Sequence, residues 1–115
     1  MEVRSRDDAE AFTTLDGSTI RVLLDSALAG AANQSLAEAS LDPGRSTQRH
    51  YHARSEEIYV FLEGGGEMEV EGDSREVDAG DAVLIPAGAW HGITGPARFL
   101  YCCAPPYSDD DSFFA

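Results

Sequence analysis

Three histidines, His50, His52 and His91, are all the imidazoles in this 115-residue chain. They fall in two glycine-punctuated segments, Gly44 to Gly64 and Gly80 to Gly95. Residues two apart on a β-strand share a face and lie about 6.6 Å apart along it, so the rings of His50 and His52 can converge on one ion about 2.1 Å from each nitrogen. Glu57 follows after a turn through Ala53-Arg54-Ser55 that returns its carboxylate to the pair, and His91 arrives from a separate strand. Imidazoles with one carboxylate suit iron, manganese, nickel, copper or zinc, and disfavour calcium and magnesium, which take all-oxygen shells. A His-x-His pair is often an ordinary exposed pair. What distinguishes this one is Gly44, Gly64, Gly80, Pro86 and Gly88 at fixed offsets around the candidate ligands.

With those residues on the page, a resemblance can be stated. Gly44, His50, His52, Glu57 and Gly64 reproduce the spacing of the first motif of the cupin superfamily, and Gly80, Pro86, Gly88 and His91 that of the second. The chain thus resembles a small single-domain cupin. It departs at Gly95, where the family often has asparagine, a residue outside the metal-ligand pattern. Some cupins place the glutamate one residue earlier, which would select Glu56. The acid-pair form followed by Ile-Tyr-Val ordinarily uses the second acid, so Glu57 is preferred. The resemblance implies an all-β, small jelly-roll barrel of short antiparallel strands with one divalent transition metal inside, held by His50, His52, Glu57 and His91.

The 115 residues suit one domain. Composition, 43% hydrophobic and 25% charged, is that of an ordinary soluble globular chain, and no window supplies the roughly 20 apolar residues of a membrane helix. The net charge of −13, from 21 acids against eight arginines and no lysine, repels phosphate backbones and anionic lipid. Neither nucleic acid nor a membrane surface is an expected partner. A bound divalent ion keeps its pocket locally positive, so the surface sign does not exclude an anionic substrate. Cys102 and Cys103, the two cysteines, are adjacent and point to opposite faces of a strand, so they form no disulfide framework. The polar start, Met1 to Asp8, lacks an apolar signal core. A reducing cytoplasmic setting is expected.

The positioning elements follow from period-two patterning and turn residues. Strands are expected at Thr19–Leu24, along the histidine segment, at Glu57–Leu62 with both faces covered, at Glu67–Glu71, Ser74–Val77, Ala82–Ile85 and His91–Thr94, and from Arg98 to Cys103. Gly64-Gly65-Gly66 reads as a tight reversal, Gly72-Asp73 as a two-residue hairpin and Ser26–Ala32 as a helical turn. The expected core runs from residue 18 to 104, with an arm over 1–12 and an outer tail over 105–115. Phe113 and Phe114 in that tail are candidates to dock on a second subunit, since small cupins are commonly homodimers. Around the metal, Tyr59 and Phe61 share a face with Glu57, Phe99, Tyr101 and Cys103 point into the barrel, and Gln48 shares the face of His50. Trp90, next to His91, points away.

A metal with four protein ligands in an octahedral shell keeps two open positions, which permits Lewis-acid polarisation or oxygen activation of a small organic molecule. The leading expectation is a metal-dependent oxygenase. The alternative is a non-catalytic module that holds a metal and a small ligand. A sugar isomerase or epimerase is weakened, because no histidine lies outside the metal set and the chain has no lysine.

Overall fold

A computed structural model describes every residue from Met1 to Ala115. Its strands, in chain order, are β1 (Phe12–Thr13), β2 (Thr19–Leu24), β3 (Ser35–Leu41), β4 (His50–His52), β5 (Glu56–Glu63), β6 (Gly66–Val70), β7 (Asp73–Val77), β8 (Ala82–Ile85), β9 (His91–Thr94), β10 (Ala97–Ala104) and β11 (Ser112–Phe114), with one short α-helix, α1 (Ser26–Ala29), after β2 and 3-10 turns at Arg6–Asp8 and Asp109–Asp111. They form an all-β jelly-roll barrel of two antiparallel sheets, in the orders β1-β2-β3-β10-β5-β8 and β11-β4-β9-β6-β7. No helix is long and apolar enough to cross a membrane.

The inner faces enclose the core. On the larger sheet, cross-strand rows stack Phe61 on Phe99 and Tyr59 on Tyr101, and the Tyr59 and Phe99 rings lie stacked at 4.5 Å. Ile20, Ala37 and Ala39 close this side, while Met68, Val77 and Ile93 line the other. In β5 burial alternates strictly from Glu56 to Phe61. Ile58, Val60 and Leu62 are 45%, 39% and 36% exposed, which corrects the expectation of a strand covered on both faces. An antiparallel sheet needs only one covered face, and the apolar outer residues of β5 lie on the other.

Two turns also differ from expectation. The β6–β7 hairpin turns at Glu71-Gly72, one residue earlier than Gly72-Asp73, with φ of 50° and 84°. Both central residues of such a turn need positive φ, and Glu71 adopts it because Trp90 holds it: its N–H donates to the Trp90 carbonyl at 2.8 Å, and its Oε1 accepts from Trp90 N–H at 2.6 Å. The Gly64-Gly65 connection makes no hairpin, because it carries the chain from the larger sheet to the smaller. Its glycines serve close approach, since a Cβ at Gly64 would collide with the Asp78 backbone and one at Gly66 with the Thr94 carbonyl.

Both ends of the chain are built into the sheets. The N-terminal arm lies on its own barrel: β1 pairs with β2, and Arg6 reaches the buried Glu38 carboxylate at 3.1 Å. The outer-tail expectation for residues 105–115 is overturned at its end. There β11 is an edge strand paired with the histidine strand, in the register Ser112 to His52, Phe113 to Tyr51 and Phe114 to His50. The two prolines do end β10 at Ala104, but the chain beyond them resumes ladder pairing one sheet away.

Candidate metal centre

Strand register assembles the centre. His50 and His91 are direct cross-strand partners in the smaller sheet, and His52 follows His50 on the same face. Glu57 comes from β5 in the opposite sheet, so the group lies between the two layers. One donor atom from each of the four residues lies within 4.8 Å of every other, and all four side chains are buried. Glu57 is 2% exposed, whereas Glu56, one step along the strand, points to solvent.

Each imidazole is held by its Nδ1. His50 Nδ1 lies 2.7 Å from the Gln48 carbonyl, His52 Nδ1 3.2 Å from the Asp111 carbonyl and His91 Nδ1 3.0 Å from the Ala89 carbonyl. A carbonyl only accepts, so Nδ1 carries the proton and each Nε2 is free to turn its lone pair inward. Glu57 Oε1 sits 3.0 Å from His52 Nε2 and 3.2 Å from His91 Nε2. Glu57 Oε1 and His91 Nε2 have no hydrogen-bond partner of adequate geometry despite full burial. A buried carboxylate oxygen facing two such nitrogens requires a positive charge among them, either a proton on an Nε2 or a metal ion. The donor set fits a divalent transition metal: nitrogen-rich, one carboxylate, with every imidazole oriented by a carbonyl.

The ionisation of the site follows its contacts. Burial alone would raise the Glu57 pKa, but hydrogen bonds and charge from His52 and His91 outweigh it and hold the carboxyl well below the usual range. His52 is the counterpart: burial opposes its charge, yet Glu57 and the Asp111 carbonyl raise its pKa above the ordinary value. Burial and neighbouring His91 push His50 down. Burial, then the Glu57 charge, drive the Tyr59 hydroxyl and the Cys103 thiol far up, so both stay protonated.

The sequence-predicted pocket residues divide. Tyr59, Phe99 and Tyr101 line the chamber beside the donors. Phe61 lies deeper, packed on Phe99 at 5.2 Å, and Cys103 donates to Glu57 Oε2 at 3.2 Å from the adjacent strand. Neither of these two lines the chamber. Gln48 is a correction: its side chain is exposed, because β4 begins only at His50 and the two-residue alternation does not extend back to it. Its contribution is the backbone carbonyl on His50. Trp90 faces away, edge-on to Tyr51 at 4.7 Å with the Arg49 guanidinium over it.

Sequence reasoning missed two groups. From the β1–β2 loop, Thr14, Asp16 and Ser18 line the chamber, with Asp16 Oδ1 accepting from Ser18 N–H at 2.9 Å. From the C-terminal segment come Tyr107, Ser112 and Phe114, and Phe114 lies 5.4 Å from the His50 ring. Asp111, buried just before β11, accepts from Arg54 N–H and Ser55 N–H at 3.0 Å each and so fixes the turn between His52 and Glu57. The available signal was Ser112-Phe113-Phe114, a short β-like run after a polar stretch.

The sequence profile of the cupin domain family matches residues 37–103. This chain belongs to the cupin family. Among relatives of this cupin, an uncharacterised protein of Methanocaldococcus jannaschii is 41% identical over 110 residues, 92% of this chain and 88% of the relative. The dimethylsulfoniopropionate lyase DddW of Ruegeria pomeroyi is 36% identical over 70% of this chain, which spans 55% of that protein. Among solved structures, the polyketide cyclase RemF of Streptomyces resistomycificus superposes with a TM-score of 0.79 at 31% identity, over 96% of this chain and 89% of its own. The departure at Gly95 has a local cause in this cupin: a Cβ there would collide with the Asp42 and Leu41 carbonyls, while Gly95 N–H donates to the Arg45 carbonyl at 2.7 Å.

Proposed function

We propose that this cupin is a metal-dependent enzyme acting on a small organic molecule, with one iron, manganese, nickel, copper or zinc ion held by His50 Nε2, His52 Nε2, His91 Nε2 and Glu57. The observation that carries this reading is the carboxylate oxygen of Glu57 facing two buried imidazole nitrogens whose Nδ1 atoms are tied to carbonyls. The similarity to a lyase and a polyketide cyclase supports small-molecule chemistry. The bound ion would supply Lewis-acid polarisation or, if redox-active, oxygen chemistry. The chain's own residues supply the rest. Tyr59 and Cys103 stay protonated, Cys103 orients Glu57, and Asp16 lines the chamber with its Oδ1 accepting from Ser18. Oxygenase chemistry is the specific form we favour if the resident ion is redox-active; a redox-inert ion without turnover would favour the non-catalytic binding module.

The test is elemental analysis of untagged protein purified without added metal, alongside His50→Ala. About one transition-metal ion per chain, lost in the variant, supports the reading, and oxygen uptake then tests the oxygenase form. No metal even after adding divalent ions back would overturn it. The free thiols Cys102 and Cys103 suit a reducing cytoplasm. We also infer a homodimer joined through the outer face of the larger sheet, where Ile58 opposes Leu84 across β5 and β8 with 45% and 58% exposure. A two-fold dimer would bury this exposed apolar face on both protomers at once. Leu84→Glu should convert the dimer to monomer in sedimentation, and a wild-type monomer would refute it.

A further inference from the structure

The chamber beside the donor cluster has a cavity volume of about 20 Å³. A single water needs roughly 10–15 Å³, so the chamber admits a water-sized group and not the body of an organic molecule. The body of any ligand must therefore sit elsewhere. A groove of about 420 Å³ adjoins the chamber, and the two share Thr14, Ile20, Tyr101 and Tyr107 as walls.

Register explains their continuity. The cross-strand row Ile20, Ala39 and Phe99 borders the chamber, and the next row on the same face, Val22, Ala37 and Tyr101, borders the groove. The groove is thus the barrel interior continued to its open end. Phe12 and Leu15 stand at its rim 47% and 56% exposed, apolar side chains from the β1 strand and the loop after it. Asp25 and Asp109 are its charged residues, and no arginine lines either space. Tyr107 stands in the neck, its hydroxyl donating to Asp109 Oδ1 at 2.8 Å. An anion lodged in the groove would lose hydration with no counter-charge beside it, whereas a flat apolar body would stack on Tyr101, Tyr107 and Phe12.

We propose that this groove binds the body of the ligand, an uncharged molecule with an aromatic or alicyclic frame, oriented so that one hydroxyl or carbonyl passes Tyr107 into the donor chamber. This rests on the small-molecule reading above, but the groove's selectivity does not require the metal. The neck limits what reaches the donors to a single small polar group, and the apolar walls select the frame behind it.

The experiment is a fluorescence titration of 2-naphthol, and in parallel of the 2-naphthoate anion, on zinc-loaded and on metal-free protein. The proteins are wild type, Phe12→Asp and Leu15→Asp; both substituted positions are exposed, so the fold tolerates them. The expected result is saturable 2-naphthol binding in wild type with or without zinc, about tenfold weaker in each variant, and, on metal-free protein, naphthoate binding at least about tenfold weaker than naphthol. A circular-dichroism melt confirms that each variant is folded. Naphthol binding that ignores both substitutions, or naphthoate binding to metal-free protein as tight as that of naphthol, overturns the proposal. Failure of the protein to take up zinc with naphthol binding intact would defeat the metal reading and leave the groove standing. Zinc uptake with no naphthol binding would do the reverse.

Discussion

Asp111 offers the most searching test of the centre as described here, because it lies in a segment that carries no metal ligand. Asp111 is 3% exposed, and its carboxylate accepts from Arg54 N–H and Ser55 N–H, while its carbonyl accepts from His52 Nδ1. Asp111→Ala strands the buried Ser55 N–H and the part-buried Arg54 N–H, at about 1–3 kcal/mol for a fully buried donor and less for one that water can reach. The expected loss is about 2–4 kcal/mol, a large share of the roughly 5–15 kcal/mol that holds a domain together. It should appear as a fall in melting temperature of about 10 °C. Loosening the 53–55 turn and the β11 edge also frees His52 and Glu57, so zinc affinity by calorimetry should fall about 10- to 100-fold. Asp111→Asn keeps one acceptor oxygen and should lie between. The hydrogen bonds from Ser55 and Arg54 outweigh burial and hold the Asp111 pKa below its ordinary 3.8. A depressed folded pKa means the carboxylate's stabilisation is complete above that ordinary value and is lost as pH falls through the folded one. The difference between wild type and Asp111→Ala should therefore be constant near neutrality and shrink in acid. A loss under about 0.5 kcal/mol with zinc affinity within about twofold of wild type would refute the reasoning.

Three further outcomes follow from the same geometry. Glu57→Ala should lose zinc in a calorimetric titration while Glu56→Ala keeps it, and the opposite pattern would reassign the ligand. Gly95→Asn, which restores the residue common in the family, should destabilise this chain in urea by about 2–4 kcal/mol, because its Cβ meets the Asp42 and Leu41 carbonyls; an unchanged midpoint would show that the neighbouring loop yields. His52 has a raised pKa, so its pairing with Glu57 stabilises the metal-free protein fully below about pH 6.5 and is lost as pH rises through the folded value. Zinc must displace that proton, so the rise in melting temperature on zinc binding should be larger at about pH 8 than at about pH 6, with proton release detectable by calorimetry in buffers of different ionisation enthalpy. Equal increments at both would mean that His52 is not protonated in the metal-free centre.

The all-β class and the His50–His52 pair were legible because both rest on local rules, whereas Glu57 and His91 joined that pair through the spacing of the cupin motifs they resemble. His50 and His52 lie two apart, the strand period, and glycines and proline mark the turns that separate strands. The alternation of Glu57, Tyr59 and Phe61 identified one face of β5 from spacing alone. Tertiary structure decided what spacing does not encode: which sheet each strand joins, and what lies across the barrel from it. Gln48 kept the right spacing and lost the face, because the strand starts after it. The outer residues of β5 are apolar yet uncovered by the chain, since strand composition does not report whether a second layer exists. Asp16, Tyr107 and Asp111 belong to segments distant in sequence from every histidine, and only sheet pairing brings them to the centre. Hydrogen bonds across 56 or 59 residues, such as those from Ser55 and His52 to Asp111, form because β11 finds the open edge of β4, and an open edge exists only once the barrel has closed around it.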